Sequence, residues 1–222
     1  MNKVVVKKFI EDENKEQSLF EIPSRGLLVG PSGCGKTTLL YNLIINYWIP
    51  YLNLYLFTKN IDQPVYKKLK KIFDDIPSII THFSNDDIIS VDDCEPNSLV
   101  VFDDFLLENQ KLIKEYFIRS RSKNISVIYL TQNYTSVDIK TIRNNLNVLI
   151  VFNQSNYYIE KIWSDLISKI IPLEKFKEIC RTYCKTYDKK NKIKTYGFIT
   201  IDLIKNLIYD NKGNNILNID ER

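Results

Sequence analysis

GPSGCGKTT, residues 30–38, stands between the apolar run Leu27, Leu28, Val29 and a helix-like run holding Leu39, Leu40, Tyr41, Leu43, Ile44 and Ile45. Gly30, four residues, then Gly35, Lys36 and Thr37 is the spacing of a phosphate-binding loop, with the strand before it and the helix after it that such a loop requires. Gly30, Gly33 and Gly35 allow positive φ and close backbone approach, so successive N–H groups can converge on phosphate oxygens. The helix beginning near Lys36 adds its positive end to the same spot. On this reading Gly30, Pro31, Ser32, Gly33, Cys34, Gly35, Lys36, Thr37 and Thr38 cradle a nucleotide. The Lys36 ammonium reaches the β- and γ-phosphates and the Thr37 hydroxyl ligates Mg²⁺. Pro31 stiffens the turn, and Cys34 is a small residue without an evident chemical task.

A second anchor is SLVVFDDF at 98–105, where apolar β-formers run into two adjacent carboxylates. Ligands of open α/β sheets bind at such strand ends. Asp103 fits the carboxylate that holds Mg²⁺ in phosphate-loop proteins, and Asp104, which points elsewhere, fits a general base for an attacking water. ISVIYL at 125–130 is another wholly apolar strand and stops at Thr131, Gln132, Asn133. Gln132 is the candidate sensor of the γ-phosphate.

The 222 residues suffice for one α/β domain that buries roughly 70% of its extended surface. A net charge of +4, from 31 basic and 27 acidic residues, permits contact with nucleic acid without demanding it. The four cysteines (Cys34, Cys94, Cys180, Cys184) have no disulfide-framework spacing. Residues 1–10 are too short and too lysine-rich for a secretory leader. The run 39–57 breaks into a helix of about 12 residues and a strand, short of a membrane span. A reduced, soluble, intracellular protein is expected.

Along the chain the pattern predicts a strand at 4–9, an acidic connection at 11–16, a helix at 37–47 and a strand at 52–58. Pro64 opens a basic amphipathic helix, 65–73. The stretch 74–96 reads as loop, its aspartate pairs as solvated surface. Helices are expected at 110–121 and 137–146, a strand at 148–152, then helices at 155–167 and 173–187 separated by Pro172. A basic turn at 189–194, a late strand at 196–201 and a polar tail from 210 complete the chain. Cys180 and Cys184, four apart, read as half-buried small residues, because the one histidine, His82, lies far away in sequence. These elements describe a mainly parallel central sheet with helices on both faces. The whole chain, 1–222, is expected to be a single P-loop ATPase domain with its core at about 20–155 and a helix-and-strand extension at 156–222.

The order of parts suits a water-activating ATPase. A small-molecule or nucleotide kinase uses the same loop in a chain of about this size but has no need of Asp104 or Gln132. A signalling GTPase would read guanine with an Asn-Lys-x-Asp run, and here Lys59, Asn60, Ile61, Asp62 is scrambled and precedes the Asp103 strand. A degenerate nucleotide-binding scaffold would not keep the full loop, both aspartates and the glutamine.

Four blocks, GPSGCGKTT, LVVFDDF (99–105), FIRSRSKNISVIYLTQNY (117–134) and TIRNNLNVLIVF (141–152), resemble the genome-packaging ATPases of the FtsK/HerA superfamily. The similarity is to the type found in poxviruses, other large double-stranded DNA viruses and virophages. It covers about residues 20–155, and the arginines just before a strand ending in Thr-Gln are its most discriminating part. The resemblance implies a RecA-like fold of the ASCE type and a homo-oligomeric ring, pentamer or hexamer. Such a motor pushes double-stranded DNA into a preformed capsid with ATP and Mg²⁺ as cofactors. It also implies a capsid or portal component as partner, at the virion assembly site in the host cell. Carried over by position, Lys36 and Thr37 contact phosphate and Mg²⁺, Asp103 is the Mg²⁺ carboxylate, Asp104 the base and Gln132 the sensor. Arg119 or Arg121 becomes an arginine finger acting across a subunit boundary, with Arg143 in reserve. DNA contacts are expected on the lysines of 65–71 and on the loop after Gln132.

Overall fold

The computed structural model describes residues 20–105, 110–136, 139–188 and 193–217, so the expected strand at 4–9 and connection at 11–16 lie outside the described residues. Ten strands are described: β1 (Arg25–Val29), β2 (Asn53–Thr58), β3 (Ile80–Ser84), β4 (Ser98–Asp103), β5 (Ser126–Thr131), β6 (Val148–Phe152), β7 (Tyr187–Asp188), β8 (Ile193–Lys194), β9 (Phe198–Asp202) and β10 (Leu207–Tyr209). The helices are α1 (Lys36–Ile45), α2 (Pro64–Asp74), α3 (Gln110–Arg119), α4 (Ile139–Arg143), α5 (Asn156–Ile162) and α6 (Leu173–Tyr183). The sheet is mixed and mostly parallel, its strands ordered β5-β4-β2-β3 in one part and β10-β9-β6-β1 in the other, and β7 pairs with β8 in a separate ribbon. This is the P-loop NTPase class that the sequence leads one to expect.

By their contacts the residues fall into two compact units, Met1–Arg25 with Thr37–Leu130 and Gly26–Lys36 with Thr131–Arg222. In the first unit β2 runs parallel to both β3 and β4, and β4 runs parallel to β5. Every position of β2, β4 and β5 is buried. That is the signature of parallel strands covered on both faces, and it explains why these segments are continuous apolar runs. The register sets Thr58 opposite Asp103 and Asp103 opposite Leu130, so the polar strand ends line up. Helix α2 starts with Pro64 in its first turn, where a missing N–H costs nothing, and buries Tyr66, Leu69 and Phe73 at helical spacing. Its lysines occupy the exposed side.

Strand β3 was not foreseen; it falls inside the stretch read as loop. Its sequence, ITHFS, neither alternates nor forms an apolar run, and it is an edge strand with β2 as its one partner. A half-covered edge exerts little pressure on composition. His82 lies there near the rings of Tyr55 and Phe57, with centroids 6.2 and 5.6 Å away, and has no catalytic neighbour among the described residues.

In the second unit β6 runs parallel to β1, with Val29 opposite Val151, and β9 and β10 continue antiparallel. Residues 156–167 form α5 and a wider π-helical turn, Trp163–Ile167, where the sequence predicts one helix. The helix expected at 173–187 ends at Tyr183, and Tyr187 already belongs to β7. The turn 189–192 lies outside the described residues. The tail from 210 is folded at least to 217, because the Asp210 carboxylate accepts the N–H groups of Lys212 and Asn214, both at 2.9 Å, and Tyr209 bridges to Asn215. Cys180 and Cys184 are buried, and the Cys184 thiol donates to the Val151 carbonyl at 3.3 Å. Cys184 thus lies against β6, and no group of three metal-ligating side chains exists among the described residues.

Gly197 explains the end of α6. Its N–H donates to Lys185 O at 3.1 Å, and a Cβ there would lie 2.2 Å from Tyr183 O and 2.8 Å from Lys185 N. The chain entering β9 therefore passes against the backbone just beyond the helix at a distance only glycine allows. Gly197→Ala should cost about 1–3 kcal/mol, the usual range for an overpacked site, measured by urea unfolding.

Candidate active site

In the second unit the phosphate loop has the backbone its glycines imply, with a division of labour among them. Gly33 has φ +70° and Gly35 φ +104°, the left-handed region that favours glycine. Gly30 serves close approach instead: a Cβ there would stand 2.6 Å from both Cys34 Sγ and Phe152 Cβ. Cys34 thus has a packing task, filling the space under Gly30, and burial pushes its thiol pKa up against the opposing pull of Lys36. Lys36 is 8% exposed, and its ammonium donates to Gly30 O at 2.6 Å and Pro31 O at 3.0 Å. The cation is thereby held over the loop by the loop's own carbonyls. Pro31, Ser32 and Gly33 are exposed, as is Thr38.

The same unit ties the loop to the end of β5. Gly30 N–H donates to Thr131 O at 3.2 Å. Thr131 is buried, its hydroxyl oxygen accepting the N–H of Asn133 at 3.2 Å, and the next residue, Gln132, is exposed at this junction. The backbone beside the loop is thus fixed, and the exposed Gln132 follows directly on it.

In the first unit the residue after Lys36 joins the acidic strand end. Asp103, last in β4, is 7% exposed, and the Tyr66 hydroxyl donates to its Oδ2. The side chains of Thr37 and Thr58 neighbour the same hydroxyl. Burial, then the Asp103 charge, pushes the Tyr66 phenol pKa far up, so it stays protonated and donating. Thr37 and Asp103 thus both stand beside the Tyr66 hydroxyl. Their oxygens are of the hard kind that could hold Mg²⁺, an ion that takes few protein ligands and fills its octahedron with water and phosphate. Asp104 has φ 60°, unusual for a residue with a Cβ, and its N–H reaches toward Leu130 O at 3.4 Å. Tyr66 escaped the sequence reading because, with Leu69 and Phe73, it looks like one more core position of an amphipathic helix.

The arginines separate by partner. Arg119 makes a two-pronged ion pair with Asp92, 2.6 and 2.8 Å, at the surface. Arg143 pairs with Asp165 at 2.8 Å, and that largely buried carboxylate also receives Lys161 at 3.2 Å and the Tyr134 hydroxyl at 3.4 Å. Arg121, in the turn Ser120–Lys123, is exposed and has no ion pair among the described residues.

A sequence-family model for the Poxvirus A32 protein matches residues 11–192. This chain belongs to the poxvirus A32 family. No curated protein sequence matches it. Among solved structures, the genome packaging NTPase B204 from Sulfolobus turreted icosahedral virus 2 with AMPPCP is 14% identical, covering 86% of this chain and 98% of that one, with TM-score 0.58. The ATP-gammaS complex of B204 is likewise 14% identical, covering 86% and 97%, with TM-score 0.57. B204 from Sulfolobus turreted icosahedral virus, described as a DNA-packaging ATPase, is 14% identical over 85% and 97%, with TM-score 0.57. These likenesses establish a common fold with this A32-family chain.

Because Arg143 neutralises a buried carboxylate inside its own chain, its part is structural. Arg143→Ala should lower stability by about 1–2 kcal/mol, Lys161 and Tyr134 retaining part of the interaction. ATP turnover per folded molecule should stay within about twofold of wild type. Unfolding curves and turnover measured on the same preparation check both.

Proposed function

We propose that this protein is a Mg²⁺-dependent ATPase that assembles as a ring, pentameric or hexameric, and drives double-stranded DNA into a capsid. The observation that carries this reading is the buried Asp103 carboxylate at the end of β4, which accepts from a Tyr66 hydroxyl that Thr37, the residue following Lys36, also neighbours. The B204 proteins, whose fold this chain shares, are described as packaging NTPases.

In this reading the loop amides and Lys36 bind the β- and γ-phosphates, the ammonium exchanging its carbonyl partners for phosphate oxygens. Thr37 and Asp103 hold Mg²⁺, which when bound screens the phosphate charge. Gln132 orients the attacking water and Asp104 takes its proton. The water oxygen bonds to the γ-phosphorus as the bridge to the β-phosphate breaks, leaving ADP and phosphate. Arg121 serves as the finger for a neighbouring subunit's nucleotide, since Arg119 and Arg143 are engaged within their own chain. Duplex phosphates meet the exposed side of α2, where Lys67, Lys68, Lys70 and Lys71 lie. Lys67 is paired with Asp62 at 3.0 Å and Lys68 lies 4.7 Å from the Tyr41 ring centre, so binding draws chiefly on Lys70 and Lys71. Such contacts are independent of base sequence and weaken with salt. Among the described residues no helix is long and apolar enough to cross a membrane. A capsid or portal component completes the expected partners, and virion assembly in the host cell is the expected place of action.

Asp104→Asn should reduce hydrolysis by roughly 10²–10⁴-fold, the usual worth of a general base, while equilibrium ATP binding stays within about twofold. A matched loss of binding would remove Asp104 from the role of base, and phosphoryl transfer to an added small-molecule acceptor would point to a kinase instead. Arg121→Ala should cost on the order of 10³-fold in ATPase rate, and mixing it with Lys36→Ala subunits should restore part of the activity. No restoration at any mixing ratio would deny a finger acting in trans. Hydrolysis should rise with duplex DNA at low salt and lose that stimulation as salt increases.

A further inference from the structure

Tyr66 is a residue whose chemistry the core does not need. It is 1% exposed in the first turn of α2, where a phenylalanine would fill the same volume without a hydroxyl to desolvate. A phenolic oxygen has one proton to give and can accept from others. Here the proton goes to Asp103 Oδ2, and the Thr37 and Thr58 side chains lie beside the same oxygen. Thr58 sits opposite Asp103 in the β2–β4 register, so strand pairing, helix packing and the start of α1 meet at this one oxygen.

We propose that Tyr66 is a positioning residue for the metal, its hydroxyl fixing the Asp103 carboxylate so that Mg²⁺ arriving with nucleotide finds that oxygen in place. The proposal rests on the reading of Thr37 and Asp103 as the metal ligands. Removing the hydroxyl leaves the phosphate loop unchanged but frees the Asp103 carboxylate to choose its rotamer. Nucleotide binding by the loop alone should survive, and the contribution of the metal should shrink.

The test is Tyr66→Phe in the full chain, with binding of a fluorescent ATP analogue measured in chelator and across a Mg²⁺ titration. Metal-free affinity should stay within about twofold of wild type, while the half-saturating Mg²⁺ concentration should rise about 10-fold, the low end of the range for loss of a partner behind a metal ligand. An unchanged or lower Mg²⁺ midpoint would overturn the proposal. So would an equal loss of metal-free and metal-dependent binding, which would make the tyrosine a structural residue only. Should the phenylalanine variant fail to fold, Thr58→Val removes another member of the cluster and should move the Mg²⁺ midpoint in the same direction. If wild-type protein binds nucleotide with no Mg²⁺ dependence, the assignment of Thr37 and Asp103 as ligands fails first and the role of Tyr66 falls with it.

Discussion

A strand buried on both faces can carry chemistry only where it ends. In β2, β4 and β5 every position is buried, and the interior positions are dominated by large apolar side chains such as Leu54, Phe57, Val100, Phe102, Ile128 and Tyr129. A polar group inside such a strand costs free energy unless it is fully bonded, so functional groups gather at Thr58, Asp103 and Thr131. Parallel pairing then matters more than composition. It sets Thr58 beside Asp103 in the first unit, and in the second a single amide from Gly30 reaches Thr131 O at the end of β5. In each unit the arrangement is a consequence of strand ends that cannot be anywhere else.

Two kinds of backbone constraint complete it. Gly33 and Gly35 need positive φ, and Gly30 needs the absence of a Cβ, so the three glycines of the loop answer to two different physical demands. Asp104 also has positive φ, in company with Tyr47, Asn97, Asn124 and Asn206. Asparagine tolerates that region through local hydrogen bonding, and three of those four positions use it. For a residue with a Cβ the conformation costs on the order of 1–2 kcal/mol. At Asp104 the cost accompanies the separation of two neighbouring carboxylates, one turned into the hydrogen-bonded cluster with Tyr66 and the other left half-buried at the strand's exit.

The sequence made these parts legible to unequal degrees, for physical reasons. The loop was readable because phosphate binding by backbone amides forces glycines into fixed spacing, and the apolar runs of β4, β5 and β6 were readable because double-sided burial leaves no other composition. Edge elements were not. β3 and β10 each have a single strand neighbour in the sheet, and neither ITHFS nor LIY carries a period long enough to read. The end of α6 at Tyr183 was hidden because it depends on Gly197, fourteen residues later, coming against the backbone after the helix. Tyr66 was hidden differently: helical periodicity marks a side chain as buried but says nothing of what its hydroxyl meets. Three arginines that look equivalent in the sequence were separable only by their partners, since Asp92 and Asp165 are 27 and 22 residues from the arginines they bind.

The arginines differ in what holds them. Arg143 is committed to a carboxylate that would otherwise be buried without sufficient compensation, and its removal from that pair would be costly. Arg119 has two carboxylate oxygens at hydrogen-bonding distance. Arg121 has no acidic partner among the described residues, while burial first and the Arg121 charge second lower the pKa of Arg25 against the pull of Glu21. In the proposed ring, a triphosphate presented by a neighbouring subunit would give Arg121 the anionic partner it lacks among the described residues, with the attraction strongest as charge builds on the transferred phosphoryl group.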